Sequence, residues 1–165
     1  MKLKTHRQLH RWTAIVTLLP LGLMMASGVL LQLKKDWSWI QPVTQRGAGT
    51  APTIGFEAIL EACRGVEEAG IQEWGDIDRL DVRPGRGIVK VQGKNHWEIQ
   101  VDTETGQVLQ TAYRRSDRIE ALHDGSVISP AVKRWVFLPA GIVALILYLT
   151  GCRLLIRKKR AKPEE

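Results

Sequence analysis

Two segments of this 165-residue chain carry no charged side chain, and each is long enough to cross a bilayer. Residues 12–33 form a run of 22, and residues 135–152 a run of 18. As helices they extend about 33 Å and about 27 Å, against a hydrocarbon core about 30 Å thick. Backbone in hydrocarbon has to satisfy its own hydrogen bonds, which restricts both segments to helix. The residues between them must leave the membrane, fold and return. A histidine stands close to the start of each segment, His10 and His123.

The net charge of +7 suggests nucleic acid until it is divided along the chain. Residues 1–11 carry four basic groups, and residues 153–165 carry six basic and two acidic ones, +4 at each end. Residues 34–134 carry 14 basic and 15 acidic groups, −1. A basic excess confined to the flanks of two spans is the positive-inside pattern, and it predicts both termini in the cytoplasm. The tail from Arg153 through Lys162 reads as a stop-transfer flank touching anionic lipid, with no nucleic-acid partner expected.

The basic start and apolar run are also those of a signal peptide. Here, however, the run continues past Ala26 and Ser27 to Leu33, beyond an h-region of about 7–15 residues, and no small-x-small cleavage site follows. An uncleaved anchor is predicted, with the central part in the periplasm or outside the cell. Cys63 and Cys152 then lie on opposite sides of the membrane and form no intrachain disulfide. Cys63 is expected as a buried thiol, with an intermolecular disulfide as the alternative. Trp12, Trp37, Trp39 and Trp135 flank the spans, where indole rings favour the headgroup level; an aromatic ligand cage is the alternative. Trp74 and Trp97 are expected in a core.

Residues 40–53 are rich in Gly, Pro and Thr and read as a linker. Phe56, Ile59, Leu60, Cys63 and Val66 follow helical spacing, predicting a helix from about Phe56 to Glu68 closed by Gly70. The period then changes. Leu80 and Val82, then Ile88, Val89 and Val91, then Trp97, Ile99 and Val101, then Val108 and Leu109 mark four short antiparallel strands separated by Gly-rich turns. The helix can cover one face of such a sheet, leaving the other to water. This part holds no nucleophile–base set, metal-ligand cluster or phosphate loop, and His96 reads as an exposed edge histidine.

The stretch from Trp97 to Leu109, WEIQVDTETGQVL, resembles the closing hairpin of the PepSY domain. Leu9-His10-Arg11-Trp12 followed by Ser27-Gly28-Val29-Leu30-Leu31 resembles the first helix of PepSY-associated transmembrane proteins. Leu122-His123-Asp124-Gly125 followed by Thr150-Gly151 resembles a later helix of the same family. The resemblance implies kinship with iron-regulated membrane proteins and ferric-siderophore reductases, whose histidines at such positions hold b-type haem. Those relatives have more spans, and this chain has no flavodoxin- or ferredoxin-reductase-like part and no Gly-rich dinucleotide loop. The expected fold is an α+β membrane protein in which two transmembrane helices flank a small helix-plus-antiparallel-sheet PepSY-like domain. The expected order is a cytoplasmic tail (1–11), first span (12–33), linker (34–53), periplasmic PepSY-like domain (54–114), pre-membrane segment (115–134), second span (135–154) and cytoplasmic tail (155–165).

His10, Thr13, Thr17, Met24 and Ser27/Gly28 recur on one face of the first helix, and Gly141, Ala144, Tyr148 and Gly151 on one face of the second. Small residues let helices approach closely, or leave room for a flat ligand. Trp12 precedes Gly28 by 16 residues, as Trp135 precedes Gly151. In antiparallel helices this sets Gly151 at the depth of His10 and Gly28 at the depth of His123. His10, His123, Gly28 and Gly151 are therefore the candidate site, with haem b as the candidate cofactor. The histidines stand about a bilayer apart, about 30 Å, so one chain cannot bring both to one iron. A homodimer would supply four helices, and a larger membrane partner could supply the missing ligand instead. Ser129-Pro130 would have to fold His123 back to the bundle, and Asp124 could orient its ring or merely form a turn with Gly125. His6 and His10 share the i, i+4 spacing of a divalent-metal pair, but no third ligand is in view. The functions in contention are a haem protein that moves electrons across the inner membrane, linked to iron uptake or respiration, and a non-enzymatic membrane-anchored protein whose PepSY domain binds a periplasmic partner. No complete catalytic apparatus is in view for either.

Overall fold

The computed structural model describes the backbone of residues 3–160; the side chains of residues 1–11, 13, 14, 16, 150 and 154–165 fall outside the description. The chain divides into a helical unit, residues 1–31 with 118–165, and a sheet unit, residues 32–117.

The helical unit begins with α1 (Leu3–Gln32), so the expected cytoplasmic tail is helical from its third residue and continuous with the apolar stretch. Pro20 lies inside α1, where it has no N–H for the preceding turn. A second helix starts as α4 (Pro130–Val132), widens to a π turn over Lys133–Phe137 and continues as α5 (Leu138–Arg160). Pro139 explains the widening: it cannot donate to the carbonyl four residues back, and its ring would crowd that carbonyl. Ser129 caps this helix by accepting from the Val132 amide at 3.1 Å. Pro130–Arg153, 24 residues long with an 18-residue stretch of mean hydropathy 2.0, is the one helix among the described residues long and apolar enough to cross a membrane. In α1 the described apolar part, Thr17–Gln32, is shorter. Leu138, Ile142, Leu145, Ile146 and Leu149 of α5 are exposed, as are Leu18, Leu19, Met25 and Val29 of α1. Apolar surface on that scale calls for lipid or protein to cover it.

In the sheet unit, α2 (Phe56–Arg64) buries Ile59, Leu60 and Cys63 against the strands. Each such side chain contributes about 2 kcal/mol through removal from water. The helix stops at Arg64, short of the expected Glu68, because Val66 turns to extended backbone to reach the core. A 3-10 turn over Glu67–Ala69 and left-handed Gly70 follow. The sheet is an antiparallel meander in the order β1 (Ile77–Arg83), β2 (Ile88–Gly93), β3 (Trp97–Asp102), β4 (Val108–Tyr113). Val89, Val91, Ile99 and Val101 face α2 and make the core. Trp97 packs against that core, whereas Trp74 is 41% exposed, edge-on to Phe56 rather than buried.

The opposite face is polar, and it is not left to water. Register places Lys90 opposite Gln100, Gln92 opposite Glu98 and Ile88 opposite Asp102, and all six are buried. The segment read as a linker lies across part of this face as a strap. The Gln45 amide donates to Gln100 Oε1 at 2.8 Å, Gln100 Nε2 donates to the Val43 carbonyl at 3.0 Å, and the Ala48 amide donates to Asp102 Oδ2 at 2.7 Å. Beyond the strap, Glu98 takes Lys90 Nζ and Gln100 Nε2 on one oxygen and Arg114 Nη1 on the other, each at 2.9 Å. The unit held together in this way runs from residue 32 to residue 117.

The strap meets the sheet most closely at a glycine crossing. Gly87 has φ +67, and a Cβ there would lie 1.8 Å from the Gly49 carbonyl oxygen. Gly106 has φ +77 but faces open space. Gly106→Ala should cost about 1 kcal/mol for the left-handed backbone alone. Gly87→Ala should cost about 3 kcal/mol, because main chain must also move. Urea unfolding of the full chain in detergent, followed by tryptophan fluorescence, checks this; equal midpoints for the two variants would show that the strap does not hold the sheet.

Candidate functional site

The site is built around His123, near the end of α3 (Ser116–Asp124), a helix inside the segment read only as pre-membrane. Gly125 ends α3 with φ +78 and packs under Phe137, whose ring would lie 2.3 Å from an added Cβ. Alanine at this position meets both the left-handed backbone and that ring. The chain then turns through Ser126 and Ser129 into α4, as the Ser129-Pro130 reversal requires.

Ser27 of α1 faces the imidazole. Its hydroxyl donates back to the Leu23 carbonyl, with the Met24 carbonyl at 3.3 Å, a habit of serine inside helices. With its proton committed to main chain, the oxygen is left as an acceptor. His123 Nδ1, at 3.1 Å, is then the nitrogen that carries hydrogen. In the neutral ring this assigns the lone pair to Nε2, the nitrogen available to a metal or a proton. Gly28 completes the approach: a Cβ there would stand 3.4 Å from His123 Cε1 and 3.7 Å from Nδ1, at the edge of what the ring tolerates.

Asp124 does not hold the ring. Its carboxylate accepts from the Ser126 amide at 2.9 Å and from Lys133 Nζ. Burial acts to raise its pKa, and the hydrogen bonds from Lys133 and Ser126 outweigh it, bringing the group down to about 2. The ring is oriented by a hydroxyl from α1 instead, a partner that spacing alone did not suggest.

His123 borders a cavity of about 350 Å³. Met24, Phe137, Leu138, Ile142 and Leu145 give it apolar walls, Gly141 leaves one side without a side chain, and Asp124 and Lys133 are its charged groups. The arrangement sets an imidazole at the edge of a largely apolar cavity.

Of the four residues singled out by sequence, His123 and Gly28 come together here. Gly151 has no described atom within 4 Å of an added Cβ. The side chains of His10 and His6 lie outside the described residues. Among the described residues no three His, Cys, Asp or Glu gather as a metal site. His96 sits at a turn with φ 71, its Nδ1 3.7 Å from Asp117 and its ring edge-on to Tyr113. Cys63 is fully buried, which pushes its thiol up to about 11 and keeps it from a partner's sulfur.

A long apolar helix, a histidine-bearing cavity and a separate helix-plus-sheet unit define a membrane protein with a small appended domain. A family model described as PepSY-associated TM region matches residues 6–164, and the chain belongs to that family. No curated protein and no solved structure matches it.

The tautomer assigned to His123 is directly measurable. Nitrogen-15 NMR of the histidine-labelled full chain should show His123 with Nδ1 protonated and Nε2 bare above the imidazole pKa. Ser27→Ala should shift the ring toward the other tautomer without unfolding the chain. A ring protonated on Nε2 in the unsubstituted protein would contradict the assignment.

Proposed function

We propose that this PepSY-associated protein crosses the bacterial inner membrane twice, with both termini cytoplasmic and its PepSY-like domain periplasmic, and that it binds b-type haem through His123 and His10 in transmembrane electron transfer linked to iron uptake or respiration. The observation that carries the reading is His123 itself, an imidazole with Nδ1 committed to Ser27 and Nε2 free, bordering an apolar cavity beside Gly28. Imidazole ligands to metals are commonly fixed through their other ring nitrogen.

The residues present fit an iron porphyrin. Ser27 would set the ring's tautomer and angle, Gly28 and Gly141 would leave room beside it, and Met24, Phe137 and Leu145 would give the group an apolar wall. The bound group would supply an iron centre that accepts and releases one electron. His10 stands about a bilayer away along α1 and would hold a second centre on the cytoplasmic side, where a second copy of the chain or a larger membrane partner would supply the missing ligands. The charge pattern supports the orientation: the basic excess lies at the two ends, and the central part is near neutral. The exposed apolar side chains of α1 and α5 support two spans.

The test is a reduced-minus-oxidised absorption spectrum of the detergent-purified full chain expressed with haem supply, beside His123→Ala and His10→Ala. Sharp reduced b-type bands, weakened in each variant, are expected. A featureless spectrum from folded protein overturns the haem reading and leaves the anchored, partner-binding protein.

A further inference from the structure

The polar face of the sheet holds a second cavity, of about 310 Å³, in the sheet unit and independent of the haem reading. Arg79, Arg83, Lys90 and Arg114 line it with Asp81 and Glu98. Adding Asp117, which stands 2.9 Å from Arg114 and 3.9 Å from Arg79, gives four cations to three anions. We propose that this cavity binds a carboxylate, gripped by Arg79 at its mouth and Lys90 at its floor.

The hydrogen bonds single out those two cations. Glu98 is fully used, with Lys90 and Gln100 on one oxygen and Arg114 on the other. Arg83 is also used, giving Nε and Nη2 to Asp81 at 2.9 and 2.7 Å. Arg114 gives Nη1 to Glu98 and Nε to Ser116 and Asp117. Lys90 is 3% exposed and gives one hydrogen bond, to Glu98. An ammonium carries three donors, and a buried one does not leave two idle. Arg79 gives Nε to Gln92 at 2.9 Å, and its nearest ion-pair contact, Nη2 to Asp117, is long at 3.9 Å. It therefore presents the outer fork of a guanidinium, which matches the two oxygens of a carboxylate.

Register brings these groups side by side. Arg79 pairs with Gln92, and Asp81 pairs with Lys90. One excess positive charge suits a monoanion. The volume takes the end of a ligand and not a folded partner. β1 is an edge strand, so the cavity lies at an open side of the sheet. A free organic acid and the C-terminus of an extended peptide carry the same group, and both can enter from that side.

The experiment is isothermal titration calorimetry of the full chain in detergent with three probes: acetate, the tripeptide Gly-Gly-Ala as free acid, and the same peptide as C-terminal amide. Free carboxylates should bind and the amide should not. Acetate binding as tightly as the peptide assigns a free organic acid, and tighter peptide binding assigns a C-terminus. Arg79→Gln should weaken binding at least tenfold, and Arg86→Gln, an exposed cation outside the cavity, should not change it. Lys90→Met could unfold the sheet, so the floor is read in the unsubstituted protein: the Lys90 ammonium nitrogen-15 resonance should shift on adding acetate. No heat from folded protein, equal losses in the two arginine variants, or an unmoved Lys90 resonance would overturn the proposal.

Discussion

Glu98 is a carboxylate with no access to water, at the centre of a face that alternation would give to solvent. Burying such a charge costs several kcal/mol, and removing one partner of a buried pair costs about 3–5 kcal/mol. The sheet unit is arranged to meet that cost. Lys90 comes from β2, Gln100 from β3 itself and Arg114 from the residue after β4, so the carboxylate draws on three successive stretches of chain. Two of its donors reach further. Gln100 also donates to the strap at Val43, and Arg114 also donates to Asp117 in the first turn of α3. The strap, the sheet and the start of α3 are thus held through one ion-pair network. A hydrophobic replacement could be as stable. What the network adds is register, since few other arrangements satisfy every donor.

In the helical unit a single proton has comparable reach. The Ser27 hydroxyl gives it to main chain, and this choice decides which nitrogen of His123 is bare. A methyl group at position 28 would touch the ring at contact distance, whereas glycine at 125 is required by its left-handed backbone and the closeness of Phe137. Phe137 closes the π turn that begins at Lys133, and both residues line the cavity. Pro139 therefore contributes to the cavity's shape through the backbone of the turn before it.

Much of this was legible in the sequence because it follows from period and charge. The switch from helical spacing at Phe56–Cys63 to alternation at Leu80–Val82 marks the helix and the sheet, and the four strands fall where Gly-rich turns divide them. The strap was not legible, because its shorter bonds to the sheet, at Val43, Gln45 and Ala48, use main-chain groups, and a side-chain bond, Gln45 Nε2 to Gln110 at 3.4 Å, makes no pattern. A signal existed on the other side: Lys90 and Gln92, then Glu98 and Gln100, are long polar residues on strands whose other face is core, and their partners had to come from somewhere. α3 carried its own marks, Asp117 and Glu120 early and Gly125 at the end, in a stretch with too little apolar periodicity to stand out. The role of Asp124 could not be read, since Lys133 reaches it only after the chain reverses at Ser129.

One measurement bears most directly on His123 as an iron ligand: the low-temperature electron paramagnetic resonance spectrum of the ferric full chain, beside His123→Gly with and without free imidazole. The ligand reading predicts a low-spin signal that the variant loses and that added imidazole restores, because the glycine leaves a gap the size of the missing ring. A spectrum without haem signals, or one that His123→Gly leaves unchanged, would contradict it.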